Sequence, residues 1–348
     1  MGTLEDYLRK LAVVNATDLL LSSGRPPLYR ALDALLPLPG EGLLADAELH
    51  SQLQQWLSPD DWQTLHDQQR VSFNLSLETG QRVGGACHMA AHGLTVKLSL
   101  LGAQAERLNE LELPKALARL FQAETGLIVV TGPARSGKTT LIARLISQIA
   151  AERSLYVATS ECPVEYRLQC GDSSVVQRSV GRHAGSHAQA IDSAIATQAD
   201  IVACSDLNAS DVFPRLLEAA CSGVLALGEL PSVGVVRTLE QLVMSTPKHA
   251  QGQVLSDLAD GLSAVVSLDL LPRKSGGRVL AAELLLASRN VCSLIRDGKL
   301  GMLAGLLDRE PGMQSMDHCL LDLATRGVVE GREALGRAID KRSFATWA

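Results

Sequence analysis

Residues 127–139 read LIVVTGPARSGKT, and this stretch constrains what the chain can fold into more than any other. A short run of β-branched and aliphatic residues meets Gly132-Pro133-Ala134-Arg135-Ser136-Gly137-Lys138-Thr139, which has the form GxxxxGK[ST]. Glycines at this spacing let backbone N–H groups wrap phosphates, Lys138 reaches the terminal ones, and the Thr139 hydroxyl is placed for Mg²⁺. The context agrees: residues 127–131 predict a strand, and TTLIARLISQIA puts Leu141, Ile142, Leu145, Ile146 and Ile149 on one helical face. Residues 132–140, Thr140 included, are therefore read as a binding site for ATP or GTP.

With 348 residues and 46% hydrophobic content, the chain is long enough for two domains, each with its own core. No apolar run approaches the roughly 18 to 20 residues of a membrane span. The opening MGTLEDYLRK lacks the basic-then-apolar order of a signal peptide, so a cytoplasmic protein is expected. Seven cysteines without a CxxC pair predict reduced thiols, not a disulfide framework or zinc ribbon. A net charge of −6 gives no basic footprint and argues against nucleic acid as the main partner.

Up to about residue 108 the pattern predicts a small α+β domain. It has a helix at LEDYLRKLAVV, a strand at 18–21, helix around 48–56, and strands at 71–77 and 94–101 separated by a Gly-rich span, 80–93. Residues 102–114 read as a linker. The second domain, 113–348, alternates apolar strand-like runs (127–131, 154–158, 201–205, 224–228, 264–268) with helical stretches, followed by 278–286 and a helical tail. That rhythm predicts an α/β domain with a largely parallel sheet covered by helices.

Triphosphate hydrolysis also needs carboxylates at the carboxyl ends of neighbouring strands, to orient water and hold Mg²⁺. Three places qualify: Ser160 to Tyr166 with Glu161 and Glu165, Asp200 to Asp206, and the strand 224–228 followed by Glu229-Leu230-Pro231. Asp200 and Asp206 stand at opposite ends of one strand, roughly 20 Å apart, so only Asp206 can approach phosphate. The leading candidates are Glu161 as general base or water positioner, Asp206 for both Mg²⁺ and the catalytic water, and Thr139 for Mg²⁺. The competing readings are a strand-end surface carboxylate for Glu161 and a turn or helix cap for Asp206.

Nearly end to end, the chain resembles the PilT/PilU-type retraction ATPases of type IV pili, within the wider group of type II and type IV secretion motors. The resemblance rests on residues 17–27, on Glu161 to Tyr166 (similar to an Asp box), and on Gln177-Arg178-Ser179-Val180-Gly181. It rests further on Leu270 to Arg273, Leu294 to Lys299, and Gly312 to Asp317. It implies a PAS-like N-terminal domain, a RecA-like ATPase domain, ATP and Mg²⁺ as cofactors, and a hinge at 102–114. It also implies a hexameric ring, homomeric or mixed with a paralogous motor, docked on an inner-membrane platform protein from the cytoplasmic side.

Departures from that pattern bear on turnover. Cys162 replaces the name-giving aspartate of the Asp box, and Asp206 stands where a glutamate is expected. Val224 and Pro231 occupy two histidine positions, Asn208 an arginine position, and Ser99 the clearest position for an arginine that reaches a neighbour's nucleotide. Misplaced water-orienting groups cost on the order of 10²-fold, and missing transition-state cations on the order of 10³-fold or more. Two readings follow: a weak ATPase driving pilus retraction and twitching motility, or a hydrolysis-impaired pseudo-ATPase serving a paralogous ring. A small-molecule kinase leaves residues 294–299 and 312–317 without a role. His88/His92 and His183/His187 have metal-like spacing but lack a suitably placed third ligand, and Arg135 reads as a solvated loop residue.

Overall fold

The computed structural model describes residues 3–347 except 15, 32–33, 102–111 and 210. The chain divides into two compact units, residues 1–106 with 165–167, and residues 107–164 with 168–348. Most of the expected linker, 102–111, lies outside the described residues.

The first unit carries an antiparallel sheet of β1 (Asp18–Ser22), β2 (Leu28–Ala31), β3 (Ala34–Pro37), β4 (Arg70–Ser76), β5 (Arg82–Ala90) and β6 (Gly93–Leu101), in the order β3-β2-β1-β6-β5-β4. Helices α1 (Leu4–Val13), α2 (Asp46–Trp56) and α3 (Pro59–Gln68) accompany it. Alternation along β6 buries Leu94, Val96 and Leu98 and leaves Lys97 exposed. Those side chains join Tyr7, Leu11, Leu19 and Leu53 in one core.

The Gly-rich span 80–93, read from sequence as a separator, contains strand β5. Phe73 and Gly85 are directly opposed across β4 and β5, and a Cβ on Gly85 would lie 2.1 Å from Phe73 Cζ. Glycine is there to admit a ring, not to make a turn. The strands β2 and β3 and the helix α3 were likewise not expected.

The second unit has seven strands: β7 (Gly126–Thr131), β8 (Tyr156–Glu161), β9 (Ser174–Ser179), β10 (Ile201–Cys204), β11 (Leu225–Leu230), β12 (Leu262–Pro272) and β13 (Arg278–Leu286). Their order is β13-β12-β7-β11-β10-β8-β9, parallel throughout except for the antiparallel edge pair β12–β13. Every residue of β7, β10 and β11 is buried, which is why these segments read as apolar runs, broken in β11 by Glu229. The helices are α4 (Lys138–Ala151), α5 (His187–Ala196), α6 (Val212–Cys221), α7 (Val235–Met244), α8 (Gln251–Gly261), α9 (Arg289–Arg296), α10 (Met316–Thr325) and α11 (Gly331–Arg337). Leu127 and Val129 of β7 pack with α5, α6, α7 and α8 in the main core.

The segment 312–317 has a structural task. Gln314 exchanges backbone hydrogen bonds with Leu284 of β13 at 2.8 and 3.1 Å, and Ser315 caps α10 by accepting from His318 N. No helix among the described residues is long and apolar enough to cross a membrane.

Candidate functional site

The loop 132–137 leaves the carboxyl end of β7 and opens α4, whose first residue is Lys138. Gly132 has φ 142°, and a Cβ there would lie 2.4 Å from both Leu268 O and Ser136 Oγ, so the tight turn excludes any larger residue. Leu141, Ile142, Leu145, Ile146 and Ile149 of α4 are all buried, which fixes the helix and so fixes the direction of its first-turn amides. Pro133, Ala134 and Arg135 are exposed, with Arg135 in the left-handed region at φ 67°. Lys138 Nζ donates to Gly132 O at 3.1 Å and to Pro133 O at 2.8 Å, which holds its ammonium over the loop. Ser136 Oγ is buried with no hydrogen-bond partner among the described residues. An orphaned hydroxyl inside a ring of amides fits a polyanion that can accept from it.

Beyond the loop, parallel register brings three carboxylates to the same end of the sheet. Glu229 is on β11, next to β7 and opposite Val130. Asp206 follows β10, the second strand away, and Glu161 closes β8, the third. Cys204 sits among them, level with Gly228 on one side and Ser160 on the other. Burial pushes its thiol up to about 12, and the charges of Asp206, Glu229 and Glu161 push the same way. The carboxylates of Asp206, Glu229 and Glu161 thus share the carboxyl end of the sheet with this thiol.

Each carboxylate is held differently. Glu161 accepts hydrogen bonds from Thr159 Oγ1 and from Gln177 Nε2 at 3.0 Å. Asp206 Oδ1 accepts from Asn208 N at 2.9 Å, the local turn that sequence offered as its competing reading. Glu229 is buried and accepts from Thr139 Oγ1 at 3.2 Å. Glu229 is thus in direct contact with the last residue of the phosphate loop. Sequence placed it near the site without giving it a role.

The remaining candidates fall into place around these. Asp200 lies at the far end of β10, where its Oδ2 accepts from Tyr156 N at 2.8 Å. Val224 precedes β11 at its amino end, whereas Pro231 follows it at the carboxyl end. Thr131 Oγ1 fixes that end by donating to Leu230 O at 2.8 Å. Arg178 turns back on its own segment, donating to His183 O through Nη2 at 2.6 Å. His187, discounted as half of a spaced pair, is buried with Nδ1 2.8 Å from Ser160 Oγ and 3.4 Å from Cys204 Sγ. Burial lowers its pKa, with the Asp206 charge pulling upward against that. Among the described residues no three His, Cys, Asp or Glu side chains are grouped to hold a metal ion by themselves, and all seven cysteines are free.

Residues 89–297 match the family model described as "Type II/IV secretion system protein". A relative in Escherichia coli K12, named "Uncharacterized protein YggR", is 32% identical over 87% of this chain and 94% of its own length. The "Type IV pilus retractation ATPase PilT" of Pseudomonas aeruginosa is 26% identical over 98% of this chain and 99% of its own. A solved structure, "Crystal Structure of the Pilus Retraction Motor PilT and Bound ADP", superposes with a TM-score of 0.86 at 28% identity, covering 98% of each chain.

Proposed function

Because the chain belongs to the type II/IV secretion system protein family, as a divergent member of its PilT/PilU-type retraction ATPases, we propose that it is an ATP-hydrolysing motor subunit that powers type IV pilus retraction. The observation that carries this is the complete loop, Gly132 to Thr139, opening α4 opposite strand-end carboxylates. The loop amides, Ser136 and Lys138 bind the phosphates of ATP, with Thr140 on the next helical residue. Mg²⁺, when bound with the nucleotide, neutralises developing phosphate charge. Thr139 would offer it a hydroxyl, and an ion of this kind, which usually retains several waters, would need no all-protein cage.

Glu161 orients or deprotonates the attacking water, and the hydrogen bonds from Thr159 and Gln177 hold it for that task. Asp206 adds negative charge to the same cluster. The subunit works as a ring, homomeric or mixed with a paralogous motor, docked on an inner-membrane platform protein from the cytoplasmic side. Its two parts are a domain of about 1–108 and one of 113–348.

Phosphate release by the purified chain tests the reading. Turnover well above that of Lys138→Ala supports the motor. Turnover equal to that variant, with ATP still bound by the wild type, leaves a nucleotide-binding subunit that does not hydrolyse.

A further inference from the structure

Resting on the reading of residues 132–139 as the nucleotide site, we infer that Glu229, on the strand beside the phosphate loop, is the carboxylate that orients Thr139 toward Mg²⁺. That role was expected of Asp206. Phosphate-loop enzymes hold the ion through the loop hydroxyl together with a strand-end carboxylate. A threonine hydroxyl has one hydrogen and two lone pairs. Here the hydrogen goes to Glu229 Oε2 at 3.2 Å, which leaves the lone pairs of Thr139 Oγ1 for a hard cation.

Position and burial support the same assignment. Glu229 and Val130 are paired across β11 and β7, so Glu229 stands one strand, about 4.8 Å, from the strand that feeds the loop. Asp206 lies past β10, two strands or about 10 Å from β7, and Glu161 ends the strand after that. Asp206 Oδ1 accepts from Asn208 N, within its own turn. Glu229 is only 7% exposed, so its carboxylate is held beside Thr139 where charge is weakly screened by water. Glu229 acts through Thr139 and is a positioning residue, as a carboxylate behind a metal-ligating group usually is.

The test is fluorescence titration of the full-length chain with mant-ADP, once with Mg²⁺ and once with EDTA, read as the ratio of the two affinities. Electron paramagnetic resonance of Mn²⁺ with ADP reports the bound ion without turnover. Glu229→Gln is expected to lower the metal-linked ratio by about tenfold or more and to weaken Mn²⁺ binding, while affinity in EDTA stays within about twofold. The preserved EDTA affinity separates loss of ion positioning from loss of fold. Glu229→Asp, which keeps the charge but shortens the arm, is expected to fall between the two and serves if Gln does not fold. Asp206→Asn should leave the ratio in place. A ratio unchanged in both Glu229 variants, or one lost with Asp206→Asn alone, overturns the inference and leaves the nucleotide site intact. Failure of wild type to bind mant-ADP in either medium overturns the nucleotide reading, and this inference with it.

Discussion

Gln177 donates from Nε2 to Glu161 Oε1 at 3.0 Å, joining two stretches of sequence at the carboxyl ends of β8 and β9. The other end of the same amide is fixed as well, because Gln177 Oε1 accepts from Leu168 N at 2.9 Å. With its oxygen tied to a donor, the amide has its NH₂ facing the carboxylate. Glu161 is thus aimed by a neighbour strand and not left to swing at a strand end. Replacing Glu161 by Gln should cut phosphate release by about 10²- to 10³-fold with ADP affinity unchanged, and Gln177→Ala should cut it by about tenfold. Steady-state turnover set beside mant-ADP binding checks both.

Gly85→Ala should destabilise the first unit, because the added methyl meets the Phe73 ring at 2.1 Å. Overpacking of this kind costs about 1–3 kcal/mol. A second change, Phe73→Leu, opens the space and should recover part of the loss in the double variant, a coupling readable from urea midpoints.

Glu283, on β13, is a buried acid whose pKa is raised to about 7, chiefly by burial, with Asp317 and Asp308 adding to it and the Val235 amide opposing. Its folded value exceeds its unfolded value, so the native state holds a proton that the unfolded chain has released. The stability linked to this group is present below about pH 4.5, declines as pH rises toward 7, and stays lost above it. The full swing is at most about 3 kcal/mol. Glu283→Gln should flatten that slope and raise stability at pH 8, measured by urea unfolding at a series of pH values.

Thiol reactivity should differ sharply along the site. Cys162, exposed directly after Glu161, should take iodoacetamide at pH 8, whereas Cys204, buried and pushed up to about 12, should stay unmodified in the folded protein. Peptide mass spectrometry before and after unfolding reads the difference.

The sequence showed what depends on local pattern. The loop, the strand before it and the helix after it were legible because glycine spacing and a 3.6-residue apolar period are both local. Segment 278–286 stood out by its apolar content, and it forms β13. The β5 strand was hidden because Gly84 and Gly85 look like a turn until Phe73 is seen across from them. The role of Glu229 was hidden for a related reason. Its partner Thr139 is far away in the chain, and only the β7–β11 pairing brings them together. Asp206 drew attention by ending an apolar strand, and its Oδ1 also accepts from Asn208 N in the turn that follows. His187 became informative only once its ring was found against Ser160 and Cys204.

The central claim is that residues 132–139 grip nucleotide phosphates through loop amides and the Lys138 ammonium. Isothermal titration calorimetry of the full chain with Mg²⁺ and ADP, run beside Lys138→Ala, tests it most directly. The account predicts saturable heat with one nucleotide per chain for the wild type, and affinity reduced by at least about tenfold for the variant, since one charge-assisted contact is worth about 1.5–3 kcal/mol. Absence of binding heat in the wild type, or equal affinity in the two proteins, would contradict it.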